Sequence, residues 1–338
     1  MIAASARQLG LEQPPNISLL RRFCEDHKSI SRRTLSSYLV TPKELAEALH
    51  KSPPSKISTA PRTVAVCASW FLPTSPLNGL QTFREKRIPN SRFFDLDKVI
   101  DRHSPYPHML PTSTDFAKAM SGLGIRRDDT VVVYDSHELG IFSAPRVAWT
   151  LKVFGHDSVH ILNNFKLWVE EGYPTESGEF YNVDTCVYPI PDSNDSKVIE
   201  FEGVKETVKD LNKEGAEGVQ ILDARSKGRW SGSDPEPRPG LESGHMPGSI
   251  NVAFSDLLDP TNKTFLPADK LKEIFAKKGV DPKKPIISTC GTGVTAAVID
   301  AALTEAGYPE EGRRLYDGSW TEWAQRVRPS DGLIVKGK

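Results

Sequence analysis

Cysteine is scarce and unpaired in this sequence of 338 residues. Its four cysteines, Cys24, Cys67, Cys186 and Cys290, form no CxxC pair. That argues against a disulfide frame or a zinc site and for reduced thiols in an intracellular compartment. No Gly-rich phosphate loop carries a Lys and no Cys/His cluster has ligand spacing, so no nucleotide, haem, metal or other cofactor is expected. An excess of charge is missing too. The 43 Lys and Arg stand against 44 Asp and Glu, a formal net charge of -1, which gives no bulk electrostatic pull on nucleic acid. No apolar run approaches the length of a membrane span.

What the chain does have is length for two domains and an internal repeat. In the first half, Thr41-Pro42 with Glu44 opens a helix, with N-cap, first-turn Pro and early acid in order. β-branched runs predict strands over Thr63–Ser69, Thr130–Tyr134 and Val159–Leu162, and helices over Asp115–Leu123, through Ala144–Leu151 and around Trp168. The second half repeats this order, with helices over Val204–Asn212 and Pro267–Lys278 and a strand over Val219–Asp223. Arg87-Ile88-Pro89 aligns with His245-Met246-Pro247, Asp135 with Cys290 and Asn163-Asn164 with Asp317-Gly318, at an offset of about 155 residues. A β/α unit of that size implies a duplicated domain, and alternating strands and helices imply a mainly parallel sheet covered on both faces. The expected division is a flexible N-terminal extension or transit peptide over 1–36, a first domain over 37–180, a Pro/Asp/Ser-rich linker over 181–197 and a second domain over 198–338. The extension is rich in Arg and Ser, as a mitochondrial transit peptide is, yet carries Glu12, Glu25 and Asp26. Both a mitochondrial and a cytoplasmic location stay open.

The chemistry gathers at Ser288-Thr289-Cys290-Gly291-Thr292-Gly293-Val294-Thr295. A short strand over Lys284–Ser288 leads in, and an Ala-rich helix over Val294–Leu303 leads out toward a stop at Gly307. One cysteine therefore sits where a strand ends and a helix begins. Gly291 and Gly293 let the loop curl so that backbone N–H groups face the sulfur, and the helix N-terminus adds partial positive charge. Both favour the thiolate, the reactive form. A buried, inert thiol is the bland alternative.

This loop resembles the active-site loop of the rhodanese (sulfurtransferase) superfamily, in the form typical of 3-mercaptopyruvate sulfurtransferases. Asp223-Ala224-Arg225, Gly228-Arg229-Trp230, Glu236-Pro237-Arg238-Pro239-Gly240, Gly244-His245-Met246-Pro247-Gly248-Ser249-Ile250-Asn251 and Tyr316-Asp317-Gly318-Ser319-Trp320 carry the same resemblance. It implies an α/β fold of two tandem rhodanese domains. The first would be non-catalytic, because Asp135 at the nucleophile position cannot carry sulfur as a persulfide. The second would move sulfur from 3-mercaptopyruvate through a Cys290 persulfide to thiol or thioredoxin acceptors or cyanide, releasing pyruvate. The resemblance places Arg229 and Arg238 on the substrate, together with the loop residues Gly291, Gly293, Val294 and Thr295. It maps a Ser-His-Asp arrangement onto Thr292, His108 and Asp97, with Thr in place of the commoner Ser; a structural His108 packed between Pro107 and Met109 is the alternative. Arg225 is expected to form a salt bridge, His245 a structural hydrogen bond, Cys67 a buried inert thiol, Asn90 a left-handed turn, and Trp320 and Trp323 to pack in the core or against a loop. A thiosulfate:cyanide sulfurtransferase is the nearest rival, but such enzymes usually carry basic residues after the nucleophile, where Gly291 and Thr292 are uncharged. A Cys-dependent phosphatase would need Arg at the position of Ala296. A sulfur-relay partner in tRNA thiolation, working with a sulfur-carrier system, would use the same persulfide.

Overall fold

The β-branched runs pair into two five-stranded sheets with the same connectivity. The computed structural model describes residues 35–52, 58–180, 183–210 and 218–337, so the expected extension over 1–36 lies almost wholly outside the described residues. In the first half, β1 (Leu39–Val40), α1 (Pro42–Lys51), β2 (Thr63–Cys67), α2 (Gly79–Glu85), β3 (Arg92–Phe93), α3 (Ser113–Gly122), β4 (Thr130–Tyr134), α4 (Ala144–Val153), β5 (Val159–Leu162) and α5 (Phe165–Glu170) follow in order. The second half runs β6 (Val198–Ile199), α6 (Phe201–Asp210), β7 (Gln220–Asp223), α7 (Lys227–Ser231), β8 (Ile250–Asn251), α8 (Ala268–Lys277), β9 (Ile286–Thr289), α9 (Ala296–Glu305), β10 (Arg313–Tyr316) and α10 (Ser319–Arg326). The sheets have the orders β1-β5-β4-β2-β3 and β6-β10-β9-β7-β8, and every pair within them is parallel. The duplicated sequence is thus a duplicated α/β fold.

Alternation along the strands supplies both faces of a sheet with a core. Leu222 and Ile286 join Leu271, Phe275 and the apolar side of α9, whereas Ile221 and Ile287 join Phe201, Val204 and Trp323. The first of these cores continues through Val147, Ala148 and Leu151 of α4 into the first half. Helix α1 begins as the sequence predicts, with a complete capping box between Thr41 and Glu44. Asn90 takes its left-handed turn at φ 59.

The expected boundaries shift where tertiary contacts override local pattern. The helix expected from Val294 starts at Ala296, because the preceding residues form the loop described below. Helix α6 starts before the expected Val204: Phe201 is buried, and Glu200 O already accepts from Val204 N at 3.1 Å. The segment expected as a linker is docked on the first half. Tyr188 is buried, its hydroxyl 3.0 Å from His156 Nδ1 and its ring centroid 5.7 Å from that of Phe116.

The two halves meet across a seam with approximate two-fold character. Asn163 Oδ1 accepts from Phe265 N at 2.9 Å, and Asp317 Oδ2, its counterpart, accepts from Leu110 N at 2.7 Å. His108 and Lys263 are both non-glycine residues of positive φ, at 64 and 62. Each reaches toward the other half: His108 toward Thr292, and Lys263 to where a Cβ on Gly140 would stand 2.4 Å from its own Cβ. Asp135, the counterpart of Cys290, is buried, and its carboxylate fills its own loop. It accepts from the N–H groups of Phe142, Ser143 and Ala144 at 2.8, 2.9 and 2.8 Å and from Ser143 Oγ. Burial nevertheless pushes its pKa up to about 6.

Candidate active site

Cys290 follows β9 directly and is 2% exposed. Its loop is held from behind by α10. Cys290 N donates to Ser319 Oγ at 3.1 Å; Cys290 O accepts from Trp320 N at 2.9 Å, and Gly291 O from Thr321 N at 2.9 Å and Thr321 Oγ1 at 2.7 Å. Ser319 takes φ 49 to make this fit and donates to Tyr316 O at 2.8 Å. With the carbonyls so held, none of the N–H groups from Gly291 to Thr295 donates to an acceptor among the described residues. That run of amides before a helix is suited to an anion. In the first half, the amides at the start of α4 hold the Asp135 carboxylate.

Gly293 has two reasons to be glycine. Its φ is 74, and a Cβ there would stand 2.5 Å from Arg146 Nη1 and 2.8 Å from Asp317 O. Arg146, on α4 of the first half, is buried at the centre of the seam. It donates to His108 O at 2.6 Å and to Gly293 O at 3.3 Å, pairs with Asp317, and lies 4.7 Å from the Trp149 ring centroid. One guanidinium thereby joins the loop bearing Cys290, the segment bearing His108 and the signature Asp317.

His108 is 3% exposed and bridges the halves. Its Nδ1 lies 3.0 Å from Thr292 Oγ1 and its Nε2 3.1 Å from Asp97 Oδ1. Trp70 fixes this pair, donating Nε1–H to Asp97 Oδ1 at 2.9 Å and standing edge-on to the imidazole at 4.6 Å. The hydrogen bond from His108 holds the Asp97 carboxylate below its usual range. Burial is the main cause that lowers the His108 pKa, with Asp97 opposing it and Arg146 and Arg238 adding to it. An ionised Asp97 can only accept, so Nε2 carries the proton. Nδ1 of the neutral ring is then an acceptor, and Thr292 donates to it.

The two expected substrate arginines differ. Arg229 gives Nε and Nη2 to Glu236, which also pairs with Arg225, and its Nη2 would stand 3.1 Å from a Cβ on Gly291. Arg238 is half-buried and makes no hydrogen bond or ion pair among the described residues. Burial lowers its pKa, Arg229 lowers it further, and Cys290 and Asp97 act in the opposite direction, so it lies in the field of the site with its donors available. Arg225 is locked by Asp223 and Glu236, in the structural role expected of it. Val294 faces the core, leaving only its backbone to the loop, and Thr295 begins α9 without a side-chain cap. Cys67 is buried 3.2 Å from Ser69 Oγ, its pKa pushed up to about 12 by burial. His245 Nδ1 bonds Trp230 O at 2.8 Å, and Trp320 and Trp323 are buried.

Sequence reasoning missed Arg146, Ser319 and Trp70. A signal for Arg146 was available, a charge in the first turn of a helix whose neighbouring residues are apolar on every side. No such signal marked Trp70, whose partner is distant in sequence.

A parallel-sheet fold with a buried cysteine under a run of free amides, and a hydroxyl–imidazole–carboxylate chain beside it, defines a cysteine-dependent group-transfer enzyme. The rhodanese-like domain pattern matches residues 205–326. The chain is similar to the thiosulfate sulfurtransferase TUM1 of Saccharomyces cerevisiae, 43% identical over 79% of this chain and 90% of that one. It is similar to the human 3-mercaptopyruvate sulfurtransferase, 37% identical over 80% of this chain and 88% of the other. A solved structure of the sulfur transferase subunit of yeast mitochondrial complex I, present there in sub-stoichiometric amount, shares 39% identity at a TM-score of 0.78, covering 89% of this chain and 100% of that one. The chain belongs to the rhodanese family of sulfurtransferases, in its tandem-domain form.

Proposed function

We propose that the protein takes sulfur from 3-mercaptopyruvate onto Cys290 and passes it from the persulfide to thiol acceptors, thioredoxin among them, in the mitochondrion. The observation that carries this reading is the Asp97–His108–Thr292 chain, whose hydroxyl belongs to the second residue after Cys290. Cleaving a carbon–sulfur bond leaves a carbon that must be protonated, and a proton relay answers that need. The Cys290 thiolate attacks the substrate sulfur, forming an S–S bond as the C–S bond breaks. The bonding pair passes to carbon and delocalises onto the ketone as an enolate. The thiol proton of the substrate moves to the Thr292–His108 pair and from there to the enolate carbon, giving pyruvate and the Cys290 persulfide anion. The amides of Gly291 to Thr295 hold that anion. Arg238 grips the carboxylate, with Arg229 beside it. Uncharged Gly291 and Thr292 favour this substrate over dianionic thiosulfate.

Thr292→Val tests the relay, because it removes the hydroxyl at nearly constant shape. It is expected to lower kcat for pyruvate release by roughly a hundredfold or more. Sulfur transfer from thiosulfate, whose leaving sulfite needs no proton on carbon, should change far less. Equal losses on both substrates would overturn the role of Thr292.

The lowered His108 pKa sets the acid side of the pH profile. Only the neutral ring can take the proton, so activity is lost as pH falls through the lowered value. The profile of kcat/KM should stay flat down through pH 6.5, the ordinary histidine value, and bend only below it. His108→Gln should remove that bend.

A further inference from the structure

The first half holds a cavity of about 350 Å³ bounded by α1, the start of β2 and Trp168. The duplicated half shows how the equivalent space is filled. Trp323 Nε1 donates to Leu333 O at 3.0 Å, and His245 bridges to Val335 two residues on. Trp168 Nε1 likewise donates to Pro174 O at 2.8 Å, and Arg87 bridges to Glu176 two residues on. Leu333 and Pro174 are therefore counterparts, as are Val327 and Gly172, each four residues past its tryptophan. Leu333 and Val327 are buried in one cluster with Trp323 and Val208, whereas Pro174 and Gly172 are exposed. Two core side chains of one copy are replaced in the other by an exposed proline and a glycine, and no side chain among the described residues fills the space beside Trp168 and Leu49.

The cavity is lined by charge as well as by apolar groups. Arg92 lines it, donating from Nε to Leu123 O at 3.2 Å and from Nη1 to Asn90 O, and it has no carboxylate partner among the described residues. Arg62 also lines it but is engaged by Asp129. An apolar space with one uncompensated guanidinium suits an amphipathic anion. We propose that this cavity binds a small organic monocarboxylate, its apolar body against Trp168 and Leu49 and its carboxylate on Arg92. The site is separate from Cys290 and does not depend on the reaction proposed above.

Titration calorimetry on the full chain with benzoate and hexanoate tests this, with neutral benzamide as the control for charge. At least one carboxylate should bind saturably. Arg92→Met should weaken it tenfold or more without weakening benzamide, and Ala46→Trp, which fills the cavity from α1, should remove both. Pyruvate release should be unchanged in both variants, and Arg238→Met should leave carboxylate binding intact. Absence of saturable binding overturns the proposal. So does binding that survives both cavity variants or is lost in Arg238→Met, because the anion would then sit near Cys290.

Discussion

Cys290→Ser is expected to reduce pyruvate release from 3-mercaptopyruvate, and sulfur transfer from thiosulfate to cyanide, to background, a loss of roughly a thousandfold or more. The reason is covalent. Serine keeps the shape, and its N–H can still bond Ser319 Oγ. Its hydroxyl, however, cannot accept sulfur and release it again as a persulfide does. Mass spectrometry gives the direct check: wild type incubated with 3-mercaptopyruvate should gain one sulfur atom, and the serine variant none. Retention of either activity by the variant would remove Cys290 from the mechanism. The substrate preference is read in the same assay, and faster turnover of thiosulfate than of mercaptopyruvate by wild type would overturn the inference from uncharged Gly291 and Thr292.

Arg146→Met should come next in effect, although Arg146 is not assigned to the substrate. The change leaves Asp317 buried without its partner and removes the donors to His108 O and Gly293 O. Breaking one side of a buried ion pair costs about 3–5 kcal/mol, and denaturant unfolding should show a loss of that order. The rate should fall as well, by about a hundredfold, because the relay and the nucleophile lose their common tether. Arg146→Lys separates the two effects. Its ammonium can still neutralise Asp317, but it cannot reach two carbonyls and a carboxylate with planar geometry. Recovery of stability without recovery of kcat identifies a positioning residue; recovery of both would show that charge alone was needed.

The Cys290 loop and the roles of Arg225 and Asn90 were legible because each rests on local chemistry: a glycine, a carboxylate two residues away, a turn. The duplication and His245, whose partner Trp230 lies fifteen residues away, were legible from repeated and signature stretches instead. The meeting of Asp97, His108 and Thr292 was legible only through the family resemblance. Nothing within reach of His108 in sequence indicates that its imidazole crosses the seam to a hydroxyl 184 residues away. The difference between Arg229 and Arg238 was hidden for a related reason. Both precede or follow Pro- and Gly-rich turns, and only the folded chain decides which one Glu236 captures. The expected start of α9 lay two residues early: Val294 and Thr295 form a turn whose carbonyls accept from Ala297 and Val298 N at 3.3 and 3.1 Å, and only from Ala296 does the regular helix run.

The seam has a consequence for heredity. A duplicated copy that loses its nucleophile would ordinarily be free to drift, tolerated as long as it folds. In the mechanism proposed above the copy without a nucleophile supplies Asp97, His108 and Arg146, so its misspellings would fall on catalysis as directly as those in the copy that holds Cys290. The two halves of the gene are held to one another, and neither can be inherited as a spare.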